Sequence, residues 1–363
     1  MKEINVMEFR EQIKKIYNHM GNDLSKEIYI NRLLYSLTED NKYMRNVIET
    51  TYEGRQFISK LYCDKKKIIF SAGAWGKEII TSYPDVEFEG FIDNRVKNDQ
   101  TDEECLGYPV ISYDKYLKEY APNTIVIIAS RLYYDEIYNQ LKSDNISDEY
   151  ILNAGKMIDD MSVRQYFDLP EMENRRLASE CFIDAGSFDG RTSSLFYKWC
   201  QKNINSKEIN IWAFEPDKNN LEKCKKTLAL LKQEKNRRVE YQVIQKGLWD
   251  STGTISFSSV QNGTSKITNT GEDQIFVDRL DKMIPKDEEV TFVKMDLEGS
   301  EYKALLGAEE IIKKYKPKLA ISIYHKPEDI WELPELVLSM NPQYKLYLGH
   351  YSTAAAETVL YAL

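Results

Sequence analysis

Ten residues, FIDAGSFDGR at 182–191, constrain this chain more than any other stretch. Phe182 and Ile183 read as the end of a buried strand, Gly186 and Gly190 as the turn that follows, and TSSLFYKWC as a helix. Strand, glycine turn and helix in succession is how an open α/β sheet offers backbone N–H groups to a ligand at its carboxyl edge. Two carboxylates in the loop, Asp184 and Asp189, set the sign of that ligand. A pyrophosphate beside them is repelled and a cation is attracted.

The strands that follow agree with such an edge. INIWAFEPD (209–217) ends in Glu215-Pro216. A carboxylate at the tip of the second strand accepts from both hydroxyls of a ribose, and Pro216 stops the strand because it cannot donate to a ladder. The third strand, within VEYQVIQKGLW, brings Gly247 to the place where an adenine would lie. VTFVKMDLEGSEYKALLGA then repeats the pattern of strand, turn and helix, with Asp296 at the strand end. Glu298 and Glu301 fall at the start of its helix, where acids are favoured by the helix dipole. PKLAISIYH (317–325) delivers His325 to the same edge, and YKLYLGHY with ETVLYAL reads as an antiparallel closing pair. S-adenosylmethionine carries a sulfonium and an ammonium and no phosphate, and it suits an acidic edge of this kind.

The remaining chain divides by composition. Residues 1–60 are polar with apolar positions at three- and four-residue steps, the pattern of a helical segment. Residues 61–155 read as a Rossmann-like α/β domain. KIIFSAGAWGKEII gives its strand, turn and helix, GFIDNRV (90–96) a second strand ending in Asp93, and TIVIIAS (124–130) a buried third. Ser71 stands where a dinucleotide fingerprint has its first glycine, while Asp93 falls at the distance that reaches a ribose hydroxyl. Residues 156–180 are charged and read as a linker, and 181–363 as the second domain.

At 363 residues the chain is long enough for two domains. Its formal charge of −9 argues against nucleic acid as a partner. Five scattered cysteines without a CxxC point to a reducing compartment, and the cytoplasm is expected. No run of about 18 apolar residues predicts a membrane span.

Taken in order, FIDAGSFDG, WAFEPD, KGLWDSTGTISF, VDRLDKMI, VKMDLEGSEYKALLGA and SIYHKPEDIWELP resemble the successive motifs of the FkbM family, over roughly residues 181–363. The resemblance implies a class I methyltransferase fold and S-adenosylmethionine as cofactor, with donor binding by Asp184, Gly186 and Glu215 and with Asp296 near the reacting methyl group. It further implies O-methylation of a hydroxyl, and the acceptor expected is a carbohydrate or other small molecule. Phe188 and Asp189 fill loop positions that are often small in that family. The whole donor-binding set expected is Asp184, Gly186, Ser187, Glu215, Pro216, Gly247 and Asp296. His325 is the first candidate for the base, with an ordinary pKa of about 6.5, and Asp296 is the second. The N-terminal domain is similar to nucleotide-sugar-binding domains of sugar-modifying acyltransferases in GxxG, FIDN and GYPV, so a nucleotide-sugar is a second expected ligand. A homodimer is the expected assembly.

Three other readings compete. Asp296, Glu298, Glu301 and His325 offer oxygen and nitrogen ligands to Mg²⁺, although no metal is assigned here. A nicotinamide oxidoreductase is disfavoured by the missing GxGxxG and by the loop acids. A non-catalytic nucleotide-sugar-binding protein is the third.

Overall fold

The computed structural model describes residues 6–97, 103–121, 123–174, 179–203, 208–233, 238–258, 266–267 and 273–363. They fall into two compact units. One comprises the chain up to Ser36 with Tyr166–Gly349 and Glu357–Leu363, and the other Leu37–Gln165 with His350–Ala356.

The second of these units holds a six-stranded sheet in the order Glu104–Cys105, Tyr108–Ile111, Phe91–Ile92, Lys66–Phe70, Thr124–Ile128, Ile151–Leu152. All neighbours are parallel except the first pair. Ile68, Phe70, Val126 and Ile128 lie at the centre of its core, as continuous apolar runs predict for strands covered on both faces. The strand expected over 90–96 is only Phe91–Ile92. Asp93 ends it, because its own carboxylate accepts the Arg95 N–H at 3.0 Å and turns the chain.

The other unit carries seven strands. We number them β1 (Ser179–Ala185), β2 (Glu208–Phe214), β3 (Arg238–Ile244), β4 (Phe292–Met295), β5 (Lys318–Ser322), β6 (Leu346–His350) and β7 (Thr358–Ala362). Their order is β6-β7-β5-β4-β1-β2-β3. The strands from β3 to β5 are mutually parallel, and β7 enters antiparallel beside β5. The sequence order therefore reverses on either side of β1 and β4, and the carboxyl ends of these two central strands mark the crevice in which open α/β sheets bind ligands. A small sheet built from Gly247–Leu248, Gly253–Ser258, Lys266–Ile267 and Asp273–Asp278 is inserted between β3 and β4.

Aromatic side chains lock the first helix to this sheet. Phe182 of β1 stacks on Phe196 of the helix Arg191–Asn203 at 4.2 Å, and Phe292 of β4 meets both rings edge-on. Phe167 packs on the same group, which draws the segment before β1 into the core. At the far end, β6 is the edge of the sheet. The segment after the helix Val6–His19 covers it, through a parallel bridge from Met20 to Leu346 and a Gly21 N–H bond to the Leu346 carbonyl at 2.7 Å. That helix packs on Asp329–Met340, with Phe9 edge-on to Trp331 and Lys15 paired to Glu335 at 2.8 Å. No helix among the described residues is long and apolar enough to cross a membrane.

Deleting a ring from the aromatic stack leaves a cavity between helix and sheet. Phe182→Ala is expected to destabilise this unit by about 3–5 kcal/mol, read as a lower midpoint in urea unfolding followed by tryptophan fluorescence. An unchanged midpoint would show that the stack carries little of the stability.

Candidate active site

Gly186 turns the chain directly after β1, with φ of 76°. A Cβ there would stand 1.9 Å from the carbonyl oxygen of Asp296, so only glycine lets the two loops pass. The Gly186 and Ser187 N–H groups both donate to the Phe214 carbonyl, which fastens the loop to β2. The Ser187 hydroxyl donates to Cys224 Sγ at 3.4 Å and faces protein. Asp189 accepts the Arg191 N–H at 2.9 Å and so caps the helix that follows.

Asp184 is fully buried beneath this loop. It accepts from the Ser193 hydroxyl at 2.6 Å, and its other oxygen lies 3.1 Å from the ammonium of Lys294. Lys294 is the residue opposite Asp184 in the β1–β4 register. It is itself only 2% exposed, and it donates to the Gly186 carbonyl at 2.7 Å. The charge of Asp184 is therefore answered inside the protein. Its part is to hold the loop, because Lys294 and Ser193 occupy the oxygens that a ligand's ammonium would need.

Glu215 stands at the tip of β2, buried, and its carboxylate accepts the N–H groups of Phe188 and Asp217, both at 2.9 Å. Burial pushes its pKa up to about 7, against the pull of those two bonds. Pro216 follows it, and the Pro216 carbonyl accepts from Gln245 at 3.5 Å. Gly247 lies past the end of β3, where it pairs with Val277. A Cβ on it would meet Val277 at 3.1 Å, so the inserted sheet fills the space beside it.

Next along the edge come Asp296 after β4 and His325 after β5. Asp296 is the half-open member of the group. Its carboxylate accepts from Tyr166 at 2.9 Å and lies 3.5 Å from His325 Nε2. Glu298 approaches the same nitrogen at 3.7 Å, and Glu301 stands 3.1 Å from Nδ1 without the alignment a hydrogen bond needs. Glu301 also reaches back to accept the Leu297 N–H at 2.6 Å, so it ties down the turn as an N-terminal acid of its helix should. The turn itself runs through positive φ at Glu298 and Gly299. Burial alone would lower the pKa of His325, but Glu301, Asp296 and Glu298 together raise it to about 9. Asp329, buried behind this group, is pushed up to about 6 by burial and by the charge of Glu301.

The fold thus sets Glu215, the Gly186 loop, Asp296 and His325 in a row along one sheet edge. Pro216 and Gly247 flank the row, and Asp184 and Ser187 lie under it. Two residues of the site escaped the reading of the sequence. Lys294 is a charge inside an apolar strand, a pattern that demands a buried counter-charge and was available as a signal. Tyr166 lies in the segment read as a linker, and only the folded chain brings its hydroxyl to Asp296 and Ser322. In the N-terminal sheet, Arg95 forks onto Asp93 at 2.9 Å while the Ala72 N–H donates to it at 3.2 Å. A ribose there would compete with both.

The histidine yields a test. Its folded pKa near 9 exceeds its ordinary value of about 6.5. Its contribution to stability is therefore complete below about pH 6.5 and lost as pH rises through about 9. The wild type should melt above His325→Gln at pH 6, and the gap should close by pH 10. A gap independent of pH would show that the imidazole is not held charged by the three acids.

Residues 184–347 match the model of the methyltransferase FkbM domain. Among solved structures, the chain is similar to a methyltransferase FkbM from Methylobacillus flagellatus KT, with 20% identity and a TM-score of 0.48 over 86% of this chain and 94% of that one. It is also similar to a putative rRNA-methylase from Clostridium thermocellum, with 14% identity and a TM-score of 0.32 over 53% of this chain and 89% of that one. No curated protein matches it in sequence. The match to the methyltransferase FkbM domain thus spans a little under half of the chain and supports a methyltransferase domain over those residues.

Proposed function

We propose that the protein transfers a methyl group from S-adenosylmethionine to a hydroxyl of a carbohydrate or other small molecule. The observation that carries this reading is the buried, ionisable Glu215 on one side of the Gly186 loop and the Asp296–His325 group on the other. Glu215 suits the two hydroxyls of a ribose, since a desolvated carboxylate gains most from added donors. Phe188 and Pro216 border that position, and Gly247 marks the base end. The attraction for the donor's positive charge comes from the acids at the edge, Asp296, Glu298 and Glu215, rather than from Asp184 and Asp189, which are engaged within the protein.

S-adenosylmethionine supplies a methyl group on a positively charged sulfur. The acceptor oxygen attacks the methyl carbon, the electron pair of the carbon–sulfur bond returns to sulfur, and the hydroxyl proton passes to Asp296. Asp296 takes this task because it closes β4 at the edge and is far more open than Glu301, and because His325 is already protonated at neutral pH. His325 positions Asp296 and offsets the charge of the three acids. Holding oxygen, carbon and sulfur in line accounts for several kcal/mol of barrier lowering. The nucleotide-sugar reading of the N-terminal sheet rests on the resemblance carried by GxxG, FIDN and GYPV. Mass spectrometry of the purified protein for bound S-adenosylmethionine, S-adenosylhomocysteine and nucleotide-sugars tests both ligands at once.

Ribose hydroxyls favour the ionised form of Glu215, whose free pKa is near 7. Donor affinity, measured by calorimetry, should therefore tighten from pH 6 to pH 8. Glu215→Gln should weaken binding by about tenfold to a hundredfold and abolish that dependence, whereas equal affinity in both proteins removes the ribose assignment. With an acceptor found by screening hydroxylated compounds for S-adenosylhomocysteine release, Asp296→Asn should lower kcat by roughly 10²–10⁴ and leave donor affinity near wild type. Full turnover in that variant excludes the proton-accepting role.

A further inference from the structure

One oxygen of Asp296, one of Glu301 and one ring nitrogen of His325 lie within 4.8 Å of one another. Three ligand atoms so placed need only a small inward adjustment to reach the ~2.0–2.6 Å at which carboxylates and imidazoles bind a divalent ion. A second observation is independent of this spacing. The His325 side chain is 7% exposed and that of Glu301 is 1% exposed. Oε2 of Glu301 is shut from solvent with no hydrogen-bond partner among the described residues, and the buried ring nitrogens of His325 meet the acids at 3.1–3.7 Å without hydrogen-bond alignment. Buried polar atoms are bonded in the great majority of cases, and an ion is one of the few groups that satisfies carboxylate and imidazole together.

We propose that Asp296, Glu301 and His325 bind one divalent cation through the imidazole and their carboxylate oxygens. Glu298, 3.7 Å from the same imidazole, stands where it can supply a further oxygen. One nitrogen among oxygens suits Mn²⁺ and ions like it better than Ca²⁺, which prefers oxygen throughout. The inference deepens the methyl-transfer reading and rests on it only for its chemical consequence. A hydroxyl bound to the ion loses its proton more readily. That proton would still pass to the Asp296 oxygen that does not hold the ion, the one to which Tyr166 donates, as the carbon–oxygen bond formed and the carbon–sulfur bond broke. His325 is then a ligand of the ion, and the cation takes over its task of offsetting the acids.

The test uses the full chain, stripped with EDTA and dialysed, and Mn²⁺ alone as the probe. Electron paramagnetic resonance should show one bound Mn²⁺ per chain, with a Kd on the order of 10–100 µM, and echo modulation from a coupled nitrogen. His325→Gln should abolish the nitrogen signal, and Glu301→Gln should weaken binding by at least about tenfold. Circular dichroism checks that each variant is folded, and Glu301→Asp replaces Glu301→Gln if that one is not. No saturable binding of Mn²⁺, Mg²⁺ or Zn²⁺ up to millimolar concentration overturns the proposal, as does undiminished binding in both variants. Calorimetry with S-adenosylmethionine on the same metal-free protein keeps the two readings apart. Mn²⁺ binding with a nitrogen signal but no donor binding upholds the cation site and ends the donor reading. Donor binding without Mn²⁺ binding ends the cation site alone.

Discussion

The functional edge depends on one ammonium placed where a sheet would ordinarily hold only hydrocarbon. Lys294 sits in β4 between buried neighbours, opposite Asp184 of β1. Desolvating either charge alone costs several kcal/mol, and breaking such a pair by removing one partner typically costs about 3–5 kcal/mol. The pair is retained because Lys294 also bonds the carbonyls of Ala185 and Gly186. One cation thereby joins two strands and fixes the glycine turn between them. The positions of Glu215 and Asp296 follow from that turn, since Phe188 bonds the first and the Ala185 carbonyl receives the N–H of the second.

This arrangement divides the acids of the edge into two kinds. Asp184 and Asp189 are spent on the protein itself, one on an ion pair and one on a helix cap. Glu215, Asp296, Glu298 and Glu301 gather instead at the ends of β2 and β4, around the row itself. A buried carboxylate with raised pKa and an imidazole held by three acids mark opposite ends of the row, and titratable groups displaced in this way concentrate where ligands and reactions are handled.

Much of this was legible in the chain. A continuous apolar run such as TIVII gave a parallel strand, because a strand buried on both faces has no polar side to alternate with. Glycines after strands gave the turns, and the carboxylates closing β2 and β4 stand at the sheet edge where the pattern put them. What sequence pattern does not carry is which partner a charged side chain will meet. Asp184 looked available because Lys294 lies more than a hundred residues away in the chain. Asp93 looked like a ribose ligand until Arg95, two residues on, folded back over it. Tyr166 had no periodic neighbours to mark it, and its value comes only from the fold that delivers it.

The bridge from Met20 to Leu346 bears on what counts as the methyltransferase-like part of the chain. Sequence kinship draws that part as 184–347, a continuous block. The physical object is discontinuous. Its outermost strand is covered by residues from the beginning of the chain, and an antiparallel strand from the very end, Thr358–Ala362, completes the sheet. A fragment cut at the block's limits would bare a ribbon of unpaired amides and carbonyls, the surface through which sheets stick to one another. The first helical segment and the last strand are the selvedge that keeps the fabric from fraying.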